Sequence, residues 1–200
     1  MFSLSKKNEK GLSLIEASMV LALSAIVVSG VMFYYQSASD SNKTQNTISE
    51  VMSTVAAING LFVGQSSYDG LNTAVLAHSS AIPVTYKGSD GNSITNPFGG
   101  NVSITAGTNR YGITLDKIPT SACLNLASMN LGTSLYGVAV NGSNDVTNLI
   151  SGNVTDTPSG GAGASYSAGT LYSAITPVGA STMCDGSQAN GTNKITFVMQ

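Results

Sequence analysis

The chain has 200 residues, of which 8 are Lys or Arg and 10 are Asp or Glu, and 42% are hydrophobic. That length fits one domain, or one domain with an anchoring segment, and the apolar share supports a packed core rather than wholesale disorder. A net charge of −2, with no basic patch beyond the N-terminus, excludes nucleic-acid binding by phosphate neutralisation, and a polar surface resting on Ser, Thr, Asn and Gly suits an extracellular protein or assembly better than a cytosolic enzyme.

Residues 1–11 form a short leader carrying Lys6, Lys7, Glu9 and Lys10. It is too short and too polar to be a secretory signal with its own apolar core. An apolar stretch follows at once. From Ala17 to Tyr35, 19 residues, the only polar side chains are three serines and two tyrosines. A helix of about 20 apolar residues spans a bilayer core of roughly 30 Å. Lysines ahead of such a span hold the N-terminus in the cytoplasm and send the remainder outward. No Ala-x-Ala site ends the stretch, so the apolar segment is expected to be retained.

Beyond Tyr35 the pattern stays helical. Ile48, Val51, Met52, Val55, Ile58 and Phe62 recur at steps of three and four and define one apolar face, with Asp40, Lys43, Gln45 and Glu50 between or ahead of them. No proline falls between Met1 and Ile82. One long helix from about Ser13 to about Asn59, roughly 70 Å at 1.5 Å per residue, is the simplest reading. Gly60 is its expected stop. Gly30 is its weak point, costing about 1 kcal/mol against alanine.

Residues 63–100 read as a loop-rich connection. Strands are expected at Asn101–Thr105, Arg110–Leu115, Leu135–Asn141 and Lys194–Gln200, the last with Ile195, Phe197 and Met199 on one face. A short helix is expected at Ser121–Leu131, after Pro119. Another begins at Thr176, where threonine and then Pro177 give a cap and a first-turn proline. Residues 152–170, rich in Gly, Ser and Ala, read as a surface loop.

Three sets of residues carry chemistry. Cys123 and Cys184 both lie in the exported part, where an oxidising compartment favours a disulfide. Two cysteines permit one intramolecular pairing, and closing a loop of about 60 residues would stabilise by roughly 4 kcal/mol in the chain-entropy treatment. Glu16 is a lone carboxylate four residues into the apolar segment that begins at Leu12. It is either an interfacial group at the end of the span or a functional group with a partner, since a charge at the bilayer centre costs on the order of 3 kcal/mol. His78 stands alone, and Asp69, Asp90, Asp116, Asp145, Asp156 and Asp185 show no calcium-loop spacing. No catalytic set, metal site or cofactor site can be assembled from them, and the Gly-rich stretches lack the lysine of a phosphate loop.

The run Gly11-Leu12-Ser13-Leu14-Ile15-Glu16, behind a basic leader, resembles the processing site of type IV prepilins: a glycine, an apolar residue, and a glutamate at the fifth position after the cut. The stretches 31–43, 94–100 (Ile94-Thr95-Asn96-Pro97-Phe98-Gly99-Gly100) and 131–134 (Leu131-Gly132-Thr133-Ser134) resemble the bundle-forming branch of the type IVb class. The 11-residue leader is shorter than is usual in that class, and Leu12 stands where type IVa members carry phenylalanine.

The resemblance implies an α+β type IV pilin fold: a long N-terminal helical spine packed on an antiparallel sheet head, with a disulfide-closed C-terminal region. The implied organisation is a leader over 1–11, a membrane-spanning and filament-core half-helix over 12–35, an amphipathic half-helix over 36–62 and a globular head over 63–200. A prepilin peptidase would cut between Gly11 and Leu12 and N-methylate Leu12. Glu16 would take the assembly position, and Cys123 and Cys184 the disulfide. The implied role is the major structural subunit of a type IVb pilus, a helical homo-oligomer mediating adherence and autoaggregation. Its partners would be the assembly machinery and the host-cell surface, with the inner membrane as reservoir before export into the fimbrium. The alternatives are a minor pilin or pseudopilin, which shares the N-terminal logic, and a membrane-anchored binding protein that keeps its leader. An exported enzyme is the weakest of them.

Overall fold

A single helix, α1, runs through Leu14–Leu61, 48 residues uninterrupted by proline. The computed structural model describes residues 13–142, 146–157 and 165–200. The leader, Asp145 and the centre of the expected 152–170 loop lie outside the described residues. The chain divides into two compact units, one ending at Ser39 and the other comprising Asp40–Gln200.

In the first unit, every residue of Ser13–Ser37 is exposed. Gly30 lies within the unbroken helix, and a Cβ built there meets nothing within 4 Å. The second unit contains the rest of α1. Gly60 does not stop the helix, which runs one residue further, and the chain turns at Gly64, whose φ of 80° lies in the left-handed region open to glycine. The buried face also differs from the expected apolar one. Val51 and Ile58 are buried, but they share that face with Thr44, Thr47, Glu50 and Thr54, while Met52 is exposed. Thr44 and Thr47 can replace aliphatic residues here because their hydroxyls are satisfied within the helix. Thr44 Oγ1 donates to the Asp40 carbonyl at 2.7 Å and Thr47 Oγ1 to the Lys43 carbonyl at 2.8 Å. Only their methyl groups then need to meet the core. Periodicity scored on aliphatic residues alone misplaces such a face.

The sheet has five antiparallel strands: β1 (Ile94–Thr95), β2 (Asn101–Ala106), β3 (Tyr111–Pro119), β4 (Leu135–Val140) and β5 (Thr192–Met199). Their order is β1-β2-β3-β5-β4, so the C-terminal strand lies between β3 and β4. β3 extends four residues beyond the expected end at Leu115. Asp116 and Lys117 form a bulge, with Lys117 at a φ of 56°, after which Ile118 and Pro119 pair with Asn193 and Thr192. Two adjacent charged residues look like the end of a strand in sequence. The bulge leaves Lys117 exposed and Asp116 half-buried and lets pairing resume.

Both sheet faces are covered, which is why Thr196 and Val198 of β5 are as buried as Ile195 and Phe197. The larger core joins Val51 and Ile58 of α1 with Ile113, Leu115, Ile195 and Phe197. The helices α2 (Thr73–Ala77) and α3 (Thr120–Ala127) add Leu76 and Leu126 to it. On the other face Ala139, Leu171 and Val198 form a smaller cluster, and the hydroxyls of Thr114 and Thr196 meet at 3.1 Å. Val146 and Ile150, on the helix α4 (Val146–Ser151), fill the space left by Gly112. Arg110 fixes that helix, donating to the carbonyls of Ile150 and Gly152 while its guanidinium lies 3.4 Å from the Tyr136 ring centroid. The open edge of β4 is closed by residues 169–173: Tyr172 exchanges two backbone hydrogen bonds with Val138, and Gly169 donates to Val140. Covering an edge removes the unpaired donors and acceptors that would otherwise invite strand addition.

The last helix, α5 (Pro177–Met183), starts as its sequence prescribes: the Thr176 side chain accepts from the Gly179 amide at 3.2 Å, and proline occupies the first turn. The β1–β2 turn is built on Asn96, whose Oδ1 accepts from Phe98 and Gly100 and whose Nδ2 donates to the Asp116 carbonyl at 2.8 Å. A Cβ on Gly100 would collide with that same carbonyl. Gly100→Ala is therefore expected to destabilise the protein by about 1–3 kcal/mol through overpacking against immovable backbone. Gly60→Ala, at a helical position with nothing within 4 Å, is expected to stabilise it by roughly 0.5–1 kcal/mol. Denaturant titration of both variants in detergent micelles checks the opposite signs.

Candidate functional site

The expected functional residues fall into two places, one in each unit. Gly11 and Leu12, the expected processing positions, lie outside the described residues. Glu16 sits in the first turn of α1. Its carboxylate accepts the Ser13 backbone N–H at 3.1 Å, while Ser13 Oγ accepts the Ile15 N–H at 3.3 Å. Ser13-Leu14-Ile15-Glu16 thus has the spacing of a capping box, in which serine and glutamate satisfy amides at the helix start. The negative charge also complements the positive end of the helix dipole. The residue expected from sequence to be an interfacial group or, by resemblance, the assembly glutamate thus also has a local structural task.

The surface beside Glu16 is unlike that of a soluble protein. Between Leu14 and Tyr35 large apolar side chains stand exposed all round the helix, from Leu14 and Ile15 through Leu21, Ile26 and Val31 to Phe33. An 18-residue window of α1 has a mean hydropathy of 2.1 and none of it is buried, so by length and composition this helix can cross a membrane. Burying a large apolar side chain is worth about 1.5–3 kcal/mol. Covering this surface is therefore worth on the order of 20 kcal/mol or more, which makes its exposure to water untenable.

The second place is the disulfide between Cys123 in α3 and Cys184 at the end of α5, with Cα atoms 5.9 Å apart. Both cysteines are buried. Beside them is a polar network that the sequence reading missed. Asn141 Nδ2 donates to the Met183 carbonyl at 2.8 Å and to Asn193 Oδ1 at 2.9 Å. Asn193 Oδ1 also accepts from the Gly186 amide at 3.0 Å, and its Nδ2 donates to Thr120 Oγ1 at 3.3 Å. The two amides bracket Cys184 and hold the start of the helix that carries Cys123. The signal in sequence was an asparagine inside a β-branched strand, a residue that strands otherwise avoid.

The remaining candidates have local roles. His78 is exposed and caps α2 through its backbone. Asp90 accepts from the amides of Asn92 and Ser93 and the Ser93 hydroxyl, which holds its carboxyl below the usual carboxylate range. Asp185 is lowered likewise, chiefly by the Ser187 amide. Among the described residues no three His, Cys, Asp or Glu side chains gather into a metal site. Glu50, read from sequence as lying between the apolar positions, is instead buried on the core-facing side of α1.

Comparison with known proteins matches this arrangement to named relatives. The bundlin family profile matches residues 36–200. A protein of Escherichia coli O127:H6 (strain E2348/69 / EPEC), named as the major structural subunit of bundle-forming pilus, is 48% identical over 203 residues, covering 98% of this chain and 97% of that protein. A protein of the same name from Escherichia coli O111:H- is 48% identical over the same shares. Among solved structures, TcpA, a type IV pilin from the Vibrio cholerae El Tor biotype, aligns with a TM-score of 0.52 at 15% identity, covering 80% of this chain and 99% of that one. At that identity the likeness speaks for the fold alone.

The bridge closes a loop with a sequence separation of 61. Replacing Cys123 and Cys184 together by alanine is expected to cost about 2–5 kcal/mol and to lower the melting temperature of the full chain in detergent. Differential scanning calorimetry of the variant and the oxidised parent measures the loss.

Proposed function

We propose, from the premise that this chain belongs to the bundlin family, that it is the major structural subunit of a bundle-forming type IVb pilus. The observation that carries this reading is the apolar, fully exposed first half of α1 in a chain nearly half identical to pilus subunits along its whole length. Such a surface needs an apolar cover, and two covers serve in turn. Before assembly the cover is the inner membrane. Afterwards it is the same helix of neighbouring subunits in the filament core. Both surroundings are apolar, so transfer between them changes solvation little.

In this mechanism a prepilin peptidase cuts between Gly11 and Leu12 and methylates the new amine. The amine retains the ability to carry a positive charge. Within the apolar core an isolated ammonium or carboxylate is costly, so the Leu12 amine of one subunit pairs with Glu16 of its neighbour and sets the axial register. The capping bond leaves room for this: Oε2 accepts from Ser13, and a carboxylate has about four lone-pair sites in all. Gly30 fits the same mechanism. A Cβ there would meet nothing within 4 Å among the described residues, so close packing within the subunit does not call for glycine, and its value lies in assembly, where a weakened helix can melt locally. The head, with its low-charge Ser, Thr, Asn and Gly surface, meets solvent, neighbouring pili and the host cell, and carries adherence and autoaggregation. The role is structural, and the assembled location is the extracellular fimbrium.

Two substitutions separate the tasks of Glu16. Glutamine can complete a capping box but brings no charge, whereas alanine removes both functions. Expressed in piliated cells, Glu16→Gln and Glu16→Ala are both expected to be cleaved and to remain in the membrane without forming filaments. Intact mass and electron microscopy of sheared filaments read the outcome. Normal piliation by Glu16→Gln would show that charge pairing does not drive assembly.

A further inference from the structure

Glu50 occupies the core-facing side of α1 within the second unit, in line with Thr47 and Thr54. It is 4% exposed, and among the described residues neither carboxyl oxygen has a hydrogen-bond partner. The Thr54 hydroxyl, one turn further on, is buried and unpartnered too. No charged side chain lies within four residues of Glu50 along the helix, and the nearest on it are Lys43, whose amine lies 5.9 Å from the Phe98 ring centroid, and Asp40. Among the described residues no charged group acts on Glu50 from the elements packed against this face. The titratable groups in the hydrophobic cluster into which this face packs are the phenols of Tyr68, Tyr86, Tyr111, Tyr166 and Tyr172. None of these groups pairs with Glu50, and burial alone acts on it. A buried carboxylate without a partner is among the costlier groups a core can hold, and the usual escape is protonation.

We propose that the seating of the second half of α1 on the head is a proton-operated latch: with Glu50 protonated the helix face stays docked on the core, and with Glu50 ionised the turns from Thr47 to Thr54 loosen towards water. The step is the loss of one proton from the carboxyl O–H to solvent, with no other reactant. The latch goes beyond the filament reading and stands independently of it, since it concerns contacts within one subunit.

The direction follows from linkage. Burial raises the Glu50 carboxyl from 4.5 to about 7. The docked form thus binds a proton that the undocked form releases. Its full stability holds below pH 4.5, falls as pH rises, and is lost by the time the docked carboxyl itself ionises. Between pH 5 and pH 8 the opening equilibrium is expected to rise by about 70-fold.

The test is hydrogen exchange with mass spectrometry on the full chain in detergent micelles, corrected for intrinsic exchange rates. Peptides spanning residues 44–58 are expected to lose protection from pH 5 to pH 8 in the parent and to keep it in Glu50→Gln. Equal pH dependence in the two proteins overturns the latch. Should Glu50→Gln fail to fold, carboxyl carbon NMR of the parent decides: a Glu50 midpoint above pH 6 upholds the proposal, and one at or below pH 6 overturns it.

Discussion

The pairing of β3 with β5 is the contact on which the rest of the head depends. It joins the middle of the chain to its C-terminus and runs from Tyr111 opposite Met199 to Pro119 opposite Thr192. Because β5 lies between β3 and β4, β4 joins the sheet only through the last residues of the chain. The bulge at Asp116 and Lys117 lets β3 continue to the start of α3, which brings Cys123 within reach of Cys184. Non-local pairing of this kind is slow to form, because loop closure precedes the contacts that compensate for it. The disulfide and the Asn141–Asn193 network then reinforce the same junction from its far side.

The helix serves two surroundings with one continuous backbone. Its first half carries apolar side chains on all sides, and its bonded polar side chains serve the helix itself: Glu16 accepts the Ser13 amide, and Ser24 donates to the Val20 carbonyl at 2.6 Å. Such a helix is at ease in lipid or among its own copies. The second half meets the core through a mixed face in which Thr44 and Thr47 bond back into the helix, whereas Glu50 and the Thr54 hydroxyl find no partner among the described residues. The exposed apolar surface thus lies on the first half and the core contacts on the second.

Much of this was legible in the sequence because the signals were local. A span without charge or proline gives a long helix. Alternating Ile195, Phe197 and Met199 give a strand. Thr176 followed by Pro177 gives a helix start, and two cysteines allow one bridge. The prepilin-like motif at Gly11–Glu16 and the later stretches pointed to the family that the comparisons show. The short elements were not legible. β1, α2 and α4 are held by tertiary contacts, such as Thr73 Oγ1 accepting from the Ile104 amide at 2.9 Å, and carry too few residues for a periodic pattern.

The sequence by itself determined the apolar helix, the main strands, the single possible disulfide and the kinship. Each of these depends on residues close together in the chain, or on a count. Tertiary structure alone decided the strand order, the continuation of β3 through its charged bulge, the burial of the second sheet face and the fate of Glu50. Those depend on which distant segment arrives at a given face. A glutamate on a helix is solvated or buried according to how the helix is turned, and here threonines whose hydroxyls bond back to their own helix let that turn bring Glu50 into the core.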